Sequence, residues 1–131
     1  MTAGLFVSVF FIAVPVFATE CENEGRQLRG SNEVIQGQGG SGMWGLMQQN
    51  EGYQSKAMVG MQIDGKLQRS ITSFEAKCEN GENPSKELSK KISAFLERAS
   101  DIKNQIRNGT PDKIIPMLDS LNGDLSKHLE N

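Results

Sequence analysis

The sequence predicts an all-α protein, a small helical bundle that follows a hydrophobic N-terminus and a flexible glycine-rich linker. Apolar residues recur every three or four positions over residues 88–106 and again over residues 114–129, which is the spacing of one buried helix face. Between the two stretches, residues 108–111 read Asn-Gly-Thr-Pro, a helix stop followed by a helix start. Because the connection is short, the two helices are expected to be antiparallel neighbours.

The composition limits the size of the core and the class of partner. The chain has 131 residues, a formal net charge of −2 and 23% charged residues, which suits one small domain with tails. Since there is no basic excess, neither nucleic acid nor an anionic membrane is an expected partner. With 14 glycines and 6% aromatic residues the core is modest, so support is expected from a disulfide, a partner protein or self-association into a homo-oligomer.

The N-terminus has the pattern of a secretory signal peptide. Residues 5–17 form an apolar run that is shorter than the roughly 20 residues a bilayer-spanning helix needs. Compact residues near its end predict cleavage after Ala18, a signal peptide over residues 1–18 and no stable membrane insertion afterwards. A retained anchor or a buried helix is the less favoured interpretation. Lipid attachment at Cys21 is disfavoured because Glu20, rather than a small residue, precedes it.

A polar, glycine-rich segment follows over residues 19–52. Glycine loses the most backbone entropy on ordering, and few apolar side chains in this segment could offset that cost. The sequence therefore predicts a disordered leader and flexible linker over residues 19–52. The helical domain is predicted over residues 53–131.

Within the predicted leader stands the motif Arg26-Gln27-Leu28-Arg29. This Arg-x-Leu-Arg spacing, shortly after a signal peptide and before a small helical region, resembles the translocation motif of the RxLR effectors of oomycete plant pathogens. The resemblance implies a secreted virulence protein that is delivered to the nucleus or cytoplasm of plant host cells and suppresses immunity or cell death by binding host proteins. The chain departs from the family pattern because the acidic Glu-Glu-Arg element downstream of the motif is missing.

A second function class stays open, a small periplasmic or extracellular helical protein with a structural or assembly role in a bacterium. An enzyme is not expected, since the sequence has no nucleophile elbow and no phosphate-binding loop. His128 is the one histidine and stands near the end of the last predicted helix, where a cation suits the helix dipole. No metal site and no cofactor are predicted.

An apolar island interrupts the predicted linker at Met43, Trp44 and Met47. One interpretation is that Trp44 covers the end of the helical core. The other is that an exposed tryptophan, with two methionines beside it on a mobile loop, forms an adaptable contact for a partner protein.

Residues 55–78 show two competing periodicities. Apolar residues alternate over 57–63 and precede Asp64-Gly65, a type I′ hairpin signal. Over residues 63–78 apolar residues instead recur at helical spacing. Because the two faces of such a hairpin would conflict, we predict a helix over residues 66–78, with a β-hairpin arm over residues 55–65 as the alternative.

The C-terminal helices have recognisable starts and stops. Ser85 is the predicted N-cap of the first helix, and Thr110 with Pro111 starts the second. Pro116 is expected to kink the second helix or delay its start, and Gly123 is expected to weaken its middle. Together with the helix that precedes them, they predict a three-helix bundle.

Two covalent modifications are predicted. Two cysteines in a secreted chain favour a disulfide between Cys21 and Cys78, which would stabilise the fold by about 4 kcal/mol on the chain-entropy model. Asn108-Gly109-Thr110 is an N-glycosylation sequon in an interhelical turn, where an acceptor is accessible. The same three residues also serve as helix stop and N-cap, so occupancy of the sequon stays open.

Overall fold

In the computed structural model, residues 16–37 and 42–129 are described, and they fold as five α-helices with short connections. No strand occurs in these two ranges, so the predicted all-α fold is confirmed. Residues 1–15, most of the predicted signal peptide, lie outside the described residues. The elements are α1 (Val16–Gln36), α2 (Gly42–Gln49), a 3-10 turn (Gln54–Lys56), α3 (Ala57–Glu79), α4 (Lys86–Asn108) and α5 (Pro111–His128).

Helix α3 lies at the centre and packs against each of the other four helices. Its sequence explains this position, because apolar or small residues recur every three or four positions along its whole length. Full burial of an aliphatic or aromatic side chain stabilises a fold by about 1.5–3 kcal/mol. The buried face consists of Ala57, Gly60, Ile63, Leu67, Ile71, Phe74 and Cys78.

The structure decides between helix and hairpin for residues 55–65. Helix α3 begins at Ala57, so the helix predicted over residues 66–78 is confirmed and the hairpin alternative is wrong. No hairpin turn forms at Asp64-Gly65, which lie inside the helix. The Asp64 carboxylate instead accepts hydrogen bonds from the backbone N–H groups of Met43 (3.0 Å) and Trp44 (3.1 Å). Burial of a continuous helix face outweighs the local turn preference.

The prediction of a disordered leader and linker over residues 19–52 is wrong for the described residues of that range, because α1 and α2 occupy most of them. The prediction failed because three apolar residues of α1 recur on one face. Cys21, Leu28 and Ile35 are seven residues apart, lie on one side of the helix and are buried at 3–5% exposure. Residues 38–41, in the middle of the glycine-rich stretch, lie outside the described residues.

The ends of α4 and α5 mostly follow the sequence. The hydroxyl of Ser85 accepts a hydrogen bond from the N–H of Leu88 at 3.3 Å, which caps α4 as predicted. Thr110 occupies the N-cap position of α5 without a side-chain cap bond. Helix α5 starts at Pro111 and continues through Pro116, so the delayed start expected from that proline is wrong.

Helices α4 and α5 pack side by side and join α3 in the predicted three-helix core. Arg98 of α4 donates to the carboxylate of Asp124 on α5 at 2.9 Å, and its guanidinium lies 5.5 Å from the ring centre of Phe95. Lys66 of α3 donates to the side-chain oxygen of Asn122 on α5 at 2.8 Å. Polar contacts at the edges thus join the same helices whose apolar faces meet inside.

Gly60→Ala tests the close crossing of α2 and α3. A Cβ atom at residue 60 would lie 2.7 Å from Met47 Sδ and 3.0 Å from the backbone nitrogen of Trp44. Because that backbone cannot move aside freely, we expect the free energy of unfolding to fall by about 1–3 kcal/mol. Urea denaturation of the oxidised protein measures the change.

Gly123→Ala is the matched control for this crossing. No atom lies within 4 Å of a Cβ at residue 123, and alanine is the better helix former. We expect the control to stabilise the protein by about 0.5–1 kcal/mol. Equal effects of the two variants would contradict the close crossing.

Candidate functional site

The Arg26-Gln27-Leu28-Arg29 motif lies in the middle of α1 and is part of the folded domain. Leu28 is buried at 5% exposure. Arg26 points outward, with 73% of its side chain exposed and its Nη2 atom 3.7 Å from a carboxylate oxygen of Glu22. Gln27 is also exposed. Of the three specified residues of the motif, Arg26 is therefore the one that the folded domain presents fully at its surface.

Arg29 binds the carboxylate of Glu75 on α3. Its Nε donates to Oε2 at 2.8 Å, its Nη2 donates to Oε1, and Nη2 also donates to Thr72 Oγ1 at 3.4 Å. A bidentate contact of this kind fixes the guanidinium plane and is stronger than a single ion pair. The hydrogen bond from Arg29 holds the pKa of the Glu75 carboxyl below its ordinary value. Arg29 thus helps to dock α1 on α3.

Helical spacing explains why the motif is divided between core and surface. Positions 21, 25, 28, 32 and 35 advance in steps of four and three and form the buried face of α1. Leu28 belongs to this series, whereas Arg26 and Gln27 fall outside it. The series can be read from the sequence, but Gly25 and Asn32 obscure it because neither has an apolar side chain.

The structure joins Cys21 of α1 to Cys78 of α3 in a disulfide, with 5.8 Å between the two Cα atoms. Both cysteines are buried, at 4% and 5% exposure. The bond spans a sequence separation of 57 residues, for which the chain-entropy model gives about 4 kcal/mol of stabilisation. It attaches the N-terminal half of α1 to the C-terminal end of α3.

The predicted partner-binding residues are also divided between core and surface. Met43 and Met47 are fully buried, so their assignment as exposed contacts is wrong. Trp44 is 36% exposed, and its backbone meets α3 at Gly60. Met58 and Met61 of α3, on either side of Gly60, are more exposed, at 61% and 45%. We call Trp44, Met58 and Met61 the Trp44 surface.

Asp64 positions the Trp44 surface by capping α2. Its carboxylate accepts from N–H groups in the first turn of α2, which lack partners within the helix, and a negative charge there suits the helix dipole. Gly42, at the start of α2, has a φ of 56°, which favours glycine. Burial raises the pKa of the Asp64 carboxyl above its ordinary value, and the hydrogen bonds from Met43 and Trp44 oppose that rise.

The predicted glycosylation acceptor, Asn108, is the last residue of α4. It is exposed, as are the other two sequon residues, Gly109 and Thr110. The sequon therefore lies where a modifying enzyme can reach it. Its occupancy stays a prediction.

Arg29→Ala is expected to lower the free energy of unfolding by about 1 kcal/mol at neutral pH, because it removes a partly exposed bidentate ion pair. Since the folded-state pKa of Glu75 is lowered, this contribution is present above the ordinary glutamate value of 4.5 and is lost as the pH falls through the lower folded-state value. Urea denaturation of Arg29→Ala and unaltered protein, at neutral pH and again where glutamate is protonated, measures the difference.

Arg26→Ala is the control for that measurement. Its partner Glu22 is more than half exposed, so the variant is expected to change stability by no more than a few tenths of a kcal/mol at either pH. A loss at Arg29 that persists in acid, or an equal loss at Arg26, would contradict the structural role of the Arg29–Glu75 pair.

Within residues 16–37 and 42–129, no helix is both long enough and apolar enough to cross a bilayer. The same residues contain no group of three or more histidine, cysteine, aspartate or glutamate side chains placed to hold a metal ion. We found no significant match to the chain among protein-family models, curated proteins or solved structures.

Proposed function

We propose that this protein is exported and acts by binding another protein. The observation that supports export most directly is the Cys21–Cys78 disulfide, which joins two helices of the core. Structural disulfides persist in oxidising compartments and are rare in the cytosol, where thiols are kept reduced. The apolar residues 5–17 are the matching export signal in the sequence.

The Trp44 surface is the proposed contact with the partner. Tryptophan is enriched among the residues that dominate binding energies, and methionine side chains adapt to partners of varied shape. Met58 and Met61 are three residues apart on α3 and therefore share a face. Because α2 and α3 are packed closely beneath these side chains, less conformational freedom is lost when a partner binds.

The RxLR resemblance supplies the specific form of the proposal, a virulence effector that binds host proteins in plant cells and suppresses immunity or cell death. It is supported by the hydrophobic N-terminus and by the motif residues Arg26, Leu28 and Arg29. In the folded domain Leu28 is buried and Arg29 is bound to Glu75. Delivery through the motif therefore requires that it is recognised before α1 folds or after α1 opens.

The second candidate function is a structural or assembly role in the periplasm or at the outside of a bacterial cell. The burial of Leu28 and the pairing of Arg29 favour it, because both residues then need no role beyond folding. The disulfide and the exposed Trp44 surface suit either candidate. The two candidates differ in the partner and in the cell that provides it.

Export is tested by expressing the full chain in a eukaryotic secretory host and analysing the medium. We expect a protein that begins at Thr19 and has no free thiol, because the signal peptide is removed and the two cysteines are joined. Intact mass with and without reduction measures both properties. Retention inside the producing cell, with both thiols free, would overturn the proposal.

Trp44→Ala tests the binding surface in leaf cells that transiently express the chain from Thr19 onward. Loss of a hot-spot tryptophan weakens binding by about 2 kcal/mol or more, roughly thirtyfold in Kd. We therefore expect the unaltered chain to suppress elicitor-triggered cell death and the variant to lose this activity.

Gln49→Ala is the matched control, since Gln49 is exposed at the end of α2 and, five residues from Trp44, does not share its helix face. The control is expected to keep the suppressing activity. Equal loss in both variants would remove the Trp44 surface from the proposal. If the unaltered chain has no effect on cell death, the effector form is wrong and the bacterial role is the one that remains.

A further inference from the structure

Over residues 20–36, where its burial is described, helix α1 buries few aliphatic side chains, and a covalent bond also holds it. The Cys21–Cys78 disulfide ties it to α3. Beyond that bond, the buried residues of α1 include two aliphatic side chains, Leu28 and Ile35. By contrast, α3 buries seven residues along its length. Over residues 20–36 of α1, the remaining buried positions are Gly25 and Asn32.

Asn32 further weakens the docking of α1. It is buried at 2% exposure, and its Nδ2 donates to Gln68 Oε1 at 3.1 Å. Among the described residues no hydrogen-bond partner exists for its Oδ1. A buried polar atom without a partner disfavours the docked state, because water would bind that atom if α1 moved away.

Besides its packing against α3 and α4, α1 makes polar contacts that water can replace. The Arg29–Glu75 pair lies where the two side chains are 35% and 29% exposed. Near the C-terminal end of α1, the Lys103 ammonium donates to the backbone carbonyl of Ile35. Undocking exchanges each such bond for a bond to water. Each bond therefore stabilises the docked state by less than its energy in isolation.

The disulfide borders an open surface pocket. Both cysteines line a cavity of about 380 Å³ between α1 and α3. This volume admits a small thiol. Three carboxylates and one guanidinium also line it. These charged residues are Glu22, Glu75, Glu79 and Arg26. Arg29 offsets the charge of one carboxylate, Glu75, but the net charge stays negative, so a cationic thiol is favoured over an anionic one.

We propose that the Cys21–Cys78 disulfide is a site of thiol–disulfide exchange that controls whether α1 is docked. A dithiol reductant supplies two electrons and two protons. Its thiolate attacks one sulfur to form a mixed disulfide and releases the other cysteine as a thiol, and its second thiol then displaces the remaining cysteine. The products are two protein thiols and the oxidised reductant. Without the bond, α1 undocks while α3, α4 and α5 stay folded.

Undocking exposes the residues that α1 covers and the motif that it contains. A Cβ at Gly25 would lie 3.7 Å from the ring of Phe74, so α1 covers this ring closely in the docked state. Release of α1 also frees Leu28 and Arg29, which makes the whole motif accessible to a protease or a receptor. The inference goes beyond the proposed function, because redox control of α1 holds whatever the partner is.

Hydrogen exchange of the purified full chain tests the proposal, with oxidised protein compared to protein reduced by dithiothreitol. We expect amide exchange in α1 to accelerate roughly tenfold or more on reduction. Exchange in α4 and α5 is expected to stay unchanged. Unchanged protection of α1 would overturn the proposal. Equal acceleration in every helix would also overturn it, because the disulfide would then support the whole fold rather than the docking of α1.

Two glycine variants and one cysteine variant provide controls. A Cβ at Gly30 of α1 or at Gly123 of α5 would meet no atom within 4 Å, so each alanine raises helix propensity alone. In reduced protein, Gly30→Ala is expected to slow exchange in α1 by roughly fivefold, and Gly123→Ala to leave it unchanged. Equal effects on α1 would count against a local opening.

The double variant Cys21→Ser, Cys78→Ser is expected to match reduced protein. Protection of α1 at the level of oxidised protein would refute the proposal.

Thiols of different charge test the route of entry. Cationic cysteamine is expected to reduce the disulfide faster than anionic mercaptoethanesulfonate at low salt, after correction for thiolate fraction and nucleophilicity. The difference is expected to shrink at high salt, because salt screens the carboxylates. If the corrected rates do not depend on the charge of the thiol, the reductant does not enter through this pocket. The measurement uses purified protein, so its outcome is independent of export and of partner binding.

Discussion

The structure depends on the continuous buried face of α3. Each of the other four helices in the described ranges packs against it, and its two ends hold the N-terminal helices in different ways. Near its start, the absence of a side chain at Gly60 lets the backbone of α2 approach closely. Near its end, Cys78 binds α1 covalently, one turn from Glu75, which pairs with Arg29. One helix thus supplies close packing at one end and a covalent anchor at the other.

Helix α1 shows how a segment with few apolar residues is ordered. The entropy cost of ordering such a segment is large, and its own side chains offset little of it. Groups of α3 supply the remaining stabilisation: the Asp64 carboxylate caps α2, and the disulfide with Cys78 holds α1. Helix α2 also buries Met43, Leu46 and Met47, whereas α1 depends more on the disulfide and on polar contacts. They make the docking of α1 sensitive to chemistry, such as reduction, that leaves apolar packing unchanged.

The arginine motif illustrates the limits of a short linear pattern. Arg26 and Arg29 have the same chemistry and lie three residues apart, yet the first is exposed and the second is bound to Glu75. Their difference arises because helical rotation places Leu28 in the core and turns Arg29 toward α3. Whether such a motif is available to a partner is therefore a property of the docking of α1. A function in delivery and a function in folding would belong to different states of the same segment.

Local patterns in the sequence by themselves determined α4, α5, the C-terminal half of α3 and the partners of the disulfide. Periodic apolar residues, the Ser85 cap and Pro111 report preferences that act within a few residues, and two cysteines allow one intramolecular pairing. Only the tertiary structure decided α1, α2, the start of α3 and which members of the candidate site are exposed. The contacts that order those elements join positions far apart in the sequence, such as Asp64 with α2 and Cys21 with Cys78. The entropy cost of ordering a polar segment is visible in its own sequence, whereas the contacts that offset it are supplied by another part of the chain.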